Sequence, residues 1–191
     1  MSYIEEMAWQ EACNKCPNLP EGEQYPDPSE VVVGDSFKVT TGGEFDIKEA
    51  AARVHEEKEA ISYKLMLAGN DENDYKSYAE VFMWIPLENL GSEADTSSWF
   101  VRKTREDAGK AFKLATDMGI VSAEDVKGMD AAEAHAVLID KFAELQGRVI
   151  NTSMKWEAYA KKDTGEVKGP YFSVGQIRVA KSDTGKADLP Y

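Results

Sequence analysis

Residues 148–181 hold seven bases, Arg148, Lys155, Lys161, Lys162, Lys168, Arg178 and Lys181, against three acids. Rings are interleaved with them: Trp156, Tyr159, Tyr171 and Phe172. Cations offset phosphate charge, and aromatic rings stack on unpaired bases at ~1–3 kcal/mol each. The segment therefore has the chemistry to hold a single-stranded polynucleotide. Trp156 shares its parity with Ile150 and Met154, so it is read as core. Lys155, Tyr159, Lys161, Lys162, Lys168, Tyr171 and Arg178 remain as candidate contacts.

Two further aromatic groups stand apart from that segment. In residues 77–87, Ala79, Val81, Met83, Ile85 and Leu87 form one face, leaving Tyr78, Phe82 and Trp84 on the other. Exposed rings along one strand mark a contact surface, so Tyr78 and Phe82 join the candidates, while Trp84 is expected to be covered. Trp99 is followed by Arg102, Lys103 and Arg105, which could add phosphate contacts. The plainer expectation there is a solvated helix face with one buried tryptophan.

Cys13-Asn-Lys-Cys16 is half of a zinc site. His55 and His135 are the only histidines, and both read as ordinary surface or helix residues. No second Cys pair exists, so no metal or other cofactor is assigned. The chain has no G-x-S-x-G, no P-loop and no G-x-G-x-x-G, and no enzyme activity is expected.

The elements that must position these residues follow from period and punctuation. A short amphipathic helix is expected in residues 1–12, then an extended connector between Pro17 and Pro28. Val31–Val33 and Phe37–Thr40, around Gly34-Asp35, are expected as two short strands about a turn or as one bent strand, and Gly42-Gly43 are expected to break the chain. Residues 44–54 are ambiguous, because alanines favour helix while Phe45 and Ile47 favour strand. Residues 60–68 and 77–87 alternate as strands, separated by the polar turn GNDENDYK. A helix is expected from Thr96–Ser98 to about Met118, stopped by Gly119, and another over 130–146. Residues 148–160 alternate, Lys161–Gly169 is a loop, and 171–180 is the return strand.

Three strands, a helical insertion and a two-stranded hairpin are the chain order of a five-stranded OB-fold barrel. An antiparallel α+β sheet with helices on one face predicts nearly the same string. Three regions are drawn: an acidic extension over 1–43, an OB-fold domain over 44–181 with its insertion at about 97–146, and a tail over 182–191.

The chain has 191 residues and a formal net charge of −13. Residues 1–97 carry twenty-one acids and seven bases, so the basic hairpin is an island in an acidic chain. Local potential, rather than net charge, decides where an anion docks. No run reaches the roughly 18 apolar residues that a membrane helix needs. The acidic start is unlike a secretory signal, and two cysteines build no disulfide framework. An intracellular location is expected.

The chain ends in Asp188-Leu189-Pro190-Tyr191. This end resembles the terminal tip of bacterial single-stranded DNA-binding proteins, an acid followed by an aliphatic residue, proline and phenylalanine. Here Tyr191 takes the phenylalanine position and few acids precede the tip. With the strand order and the basic aromatic hairpin, the chain resembles the phage-like OB-fold members of that family. The resemblance implies sequence-independent binding of single-stranded DNA in replication or recombination, without catalysis, in the cytoplasm of a bacterium or an infected host cell. It also implies that Asp188, Leu189, Pro190 and Tyr191 recruit replication or repair proteins, and it allows a homo-oligomer. The alternative is an acidic interaction module or an inhibitor that mimics DNA charge.

Overall fold

A computed structural model describes residues 9–11, 13, 24–31, 36–69 and 78–181, the side chains of 36, 37, 78, 170 and 172 excepted. The protein is mainly β. Its strands are β1 (Ser36–His55), β2 (Ala60–Gly69), β3 (Tyr78–Pro86), β4 (Val149–Ala160), β5 (Val167–Val174) and the short β6 (Arg178–Val179). Two helices, α1 (Trp99–Asp117) and α2 (Ala131–Lys141), fall between β3 and β4. The sheet is open and antiparallel, with neighbour order β3-β2-β1-β4-β5, and β6 also pairs with β4.

β1 runs unbroken for 20 residues. It crosses the 43/44 boundary drawn from composition, and Gly42-Gly43 do not break it. Gly43 adopts φ 131°, a conformation that side chains resist, so the pair lets the strand continue where another residue would strain it. The ambiguous stretch 44–54 is strand. The Ile47 N–H donates to the Arg148 carbonyl at 2.9 Å, and the Gly147 N–H donates to the Ile47 carbonyl at 2.8 Å. Such ladder bonds outweigh the small helix preference of Ala50–Ala52. The alternation slips by one between buried Ile47 and buried Ala50, where Lys48 and Glu49 both face out.

The chain divides into two compact units. The first comprises Met1–Phe45, Ala68–Ala79 and Thr152–Gln176. Its described core joins Trp9, Val31, Ala158 and Ala160, with Cys13 and Val167 against them. The Trp9 indole N–H donates to the Pro26 carbonyl at 3.2 Å, satisfying the ring's polar edge in its buried setting.

The second unit comprises Asp46–Leu67, Glu80–Asn151 and Ile177–Tyr191. β2 supplies fully buried Tyr63, Leu65 and Leu67, and β3 supplies Met83 and Ile85. From α1, Val101, Ala108, Ala111, Leu114 and Ala115 are buried, the helical spacing expected. Gly119, at φ 70°, follows that helix as its stop. α2 opens on a capping box: Asp130 accepts from the Glu133 N–H at 2.9 Å, and Glu133 accepts from the Asp130 N–H at 3.0 Å. The helix predicted over 130–146 changes to a 3-10 turn at Phe142–Leu145. Among the described residues, no helix is long and apolar enough to cross a membrane.

His135 is not a surface residue. It is 5% exposed, and burial lowers its pKa. His55 sits at the end of β1, 2.9 Å from the Ser62 hydroxyl and against the Trp84 ring.

Candidate nucleic-acid interface

β4 alternates throughout. Ile150, Thr152, Met154, Trp156, Ala158 and Ala160 are buried, so Trp156 is core as expected. Lys155, Glu157 and Tyr159 point the other way. β5 runs antiparallel to it, pairing Lys155 with Ser173, Glu157 with Tyr171 and Tyr159 with Lys168. The outward face of the hairpin thus carries both tyrosines and two of the lysines named from sequence. Lys168 lies on β5, not in the loop, because that strand begins at Val167.

The register shifts between Glu157 and Tyr159, where β5 holds an extra residue. Gly169 occupies the bulge at φ 104°, and a Cβ there would lie 2.6 Å from the Glu157 carbonyl oxygen. Only glycine fits that approach. Tyr159 and Tyr171 lie on either side of the bulge, 41% and 53% exposed, with ring centroids 6.0 Å apart. Two neighbouring open rings form a surface on which flat bases can stack.

The hairpin turns through residues 161–166. The Gly165 N–H donates to the Lys161 carbonyl at 2.8 Å, and the Lys161 N–H donates to the Glu166 carbonyl at 3.0 Å. This closure brings Lys161 to the Glu166 carboxylate at 3.0 Å, and Lys168 pairs with the same carboxylate. Glu157 is shared in the same way, by Lys155 and by Lys38 of β1 at 3.9 Å. The Lys155 ammonium bonded to Glu157 holds its carboxyl below the usual range, with help from Lys38. Lys168 and then Lys161 do the same for Glu166. Each carboxylate therefore partly neutralises two lysines, and each trio keeps one net positive charge. Lys162 is exposed and makes no ion pair among the described residues.

Glu157, Glu166 and Lys38 were not singled out from sequence. Lys155-x-Glu157 is visible as a same-face pair on a strand, but Lys38 and Glu166 join only through strand register and loop closure.

The remaining candidates fall elsewhere. Phe82 belongs to the second unit and is 55% exposed. In that unit Lys64 lies 3.5 Å from Glu49 and 3.6 Å from Glu80, an acid-rich ladder unsuited to phosphate. Trp84 is partly covered, by the His55 ring at 4.7 Å and the Lys58 ammonium at 5.6 Å. Arg178 is exposed on β6 opposite Asn151, also in the second unit. Arg148 is engaged structurally, donating to the Met118 carbonyl at 3.3 Å. Tyr78 falls on β3, but its side chain lies outside the described residues. Asp188, Leu189, Pro190, Tyr191 and Cys16 lie outside them as well.

Trp99 overturns the expectation of a buried tryptophan at the helix start. It is 68% exposed, and Phe100 beside it is 49% exposed. Among the described residues no group of three or more His, Cys, Asp or Glu is placed to hold a metal ion. Compared with protein families, with curated proteins and with solved structures, the chain matches none.

Proposed function

We propose that this protein binds single-stranded DNA without reading its sequence, through the outward face of the β4–β5 hairpin. The observation that carries the reading is the exposed Tyr159–Tyr171 pair, ringed by Lys155, Lys161 and Lys168. The rings accept bases, and the lysines exchange their glutamate partners for phosphates. The strand order supports a barrel of the OB type. In that barrel the strands neighbour one another as β3-β2-β1-β4-β5, helices enter between β3 and β4, and closure joins β3 to β5.

In this reading the protein acts in replication or recombination, in the cytoplasm of a bacterium or an infected cell. Asp188–Tyr191 recruit partner proteins, and the reading allows a homo-oligomer. Titration with oligo(dT), followed by tryptophan fluorescence and gel shift at low and moderate salt, tests it. Saturable binding that weakens with salt is the expected result. No binding even at low salt overturns the reading. If the chain then captures a basic DNA-processing protein, it is an acidic mimic of DNA, the reading that the acid-rich first 97 residues favour.

A further inference from the structure

We infer that the exposed start of α1 is a second contact surface for single-stranded DNA, with Trp99 and Phe100 as stacking platforms and Arg102 and Lys103 as phosphate contacts. The inference rests on the DNA-binding reading above but uses residues of the second unit alone. Trp99 and Phe100 are the first two residues of the helix, and both rings are open to solvent although the helix buries Val101 directly after them. Large exposed rings side by side mark a contact surface.

Charge selects the occupant. Residues 96–105 contain three bases and no acid, within a chain of net charge −13. Helical spacing sets Arg102 and Lys103 three and four residues after Trp99, on the same face. Lys103 pairs with Asp107, while Arg102 is exposed and makes no ion pair among the described residues. Arg105 is committed elsewhere, donating to the Asn89 and Gly91 carbonyls at 3.0 and 2.8 Å. An indole flanked by a free guanidinium suits a base and its phosphate together. A symmetric contact between two copies would instead set this basic face against itself.

The test compares full-length wild type with Trp99→Ala/Phe100→Ala, Trp99→Phe and Arg102→Ala, by oligo(dT) titration and sedimentation. Trp99→Ala/Phe100→Ala should bind about tenfold more weakly or worse, since each lost stack is worth about that factor. Trp99→Phe keeps a ring and should stay within about twofold, while losing much of the DNA-dependent fluorescence change. Arg102→Ala should flatten the salt dependence. If wild type binds and the double alanine variant binds equally well, this inference fails and the hairpin reading stands. If the variant changes only the oligomeric state, the patch is a contact between copies and the inference fails. If wild type does not bind at all, both readings fail.

Discussion

The Tyr63 hydroxyl lies 2.7 Å from Nδ1 of His135, and both groups are buried. The Phe142 ring rests on Tyr63 at 4.7 Å between centroids, and Phe112 meets His135 edge-on at 6.2 Å. Burial raises the phenol pKa and lowers that of the imidazole. The neutral arrangement follows: the phenol donates, and Nδ1 accepts. This bond ties β2 to α2.

Tyr63→Phe keeps the ring and leaves Nδ1 without its donor. An unsatisfied buried polar group costs ~1–3 kcal/mol. Urea unfolding should show a loss in that range, with an unchanged m-value. A loss below ~0.5 kcal/mol would mean that the bond adds little to stability.

The same histidine makes stability fall with acid. Its folded-state pKa lies below the ordinary 6.5, so the unfolded chain takes up the proton first. The contribution is complete above pH 6.5 and is lost as pH falls through that value towards the lowered folded pKa. Carboxylates such as Glu157 and Glu166 lose their contributions only at lower pH, because pairing depresses theirs. Unfolding midpoints measured from pH 7.5 to 5.5 should decline for wild type and stay flatter for His135→Gln. Parallel curves would assign the decline to other groups.

Gly169→Ala should disrupt the hairpin. The new Cβ would meet the Glu157 carbonyl at 2.6 Å, at a φ of 104° that alanine resists. Strain of this kind costs ~1–3 kcal/mol. The thermal midpoint should drop by several degrees, and the β4–β5 amides should exchange faster with solvent. Unchanged protection there would show that the bulge adjusts.

Changing Lys161, Lys162 and Lys168 together to alanine should weaken oligo(dT) binding and flatten the slope of log K against log salt. Each phosphate contact to a single strand contributes ~0.7 to that slope, so three contacts set an upper limit of ~2 on the change. Because Lys161 and Lys168 share Glu166, the measured change should fall short of that limit. An identical slope would place the phosphate contacts outside the hairpin.

Removing Asp188–Tyr191 should leave oligo(dT) affinity intact and abolish capture of replication or repair proteins. Strong loss of DNA affinity would assign the tip a part in DNA binding instead.

Much of the frame was legible from sequence because it rests on local period. β4 alternates without exception from Ile150 to Ala160, α1 carries its buried stripe and the Gly119 stop, and α2 opens on the Asp130 cap. The open and mistaken expectations lie where partners outweigh local preference. Ala50–Ala52 are held as strand in β1, and Gly42-Gly43 carry that strand onward because glycine tolerates what other residues cannot. Trp99 reads as a core residue by type yet lies open to solvent, because periodicity cannot tell which side of a helix start its neighbours will cover. In the hairpin, the sequence shows the lysines and tyrosines as residue types. It does not show the sharing of Glu157 and Glu166, since that depends on a register shifted by one residue at Gly169.

Glu157 and Glu166 make the hairpin its own reservoir of anions. A strand that takes Lys155 and Lys38 from one carboxylate, or Lys161 and Lys168 from the other, leaves a glutamate stripped of the cations that hold its pKa down. Those pKa values then climb back towards the ordinary carboxylate range. In mildly acid, weakly buffered solution, DNA binding should therefore draw protons from the medium, a signal that Glu157→Gln/Glu166→Gln would lack. Occupancy of the hairpin would be written in the pH of the solution around it.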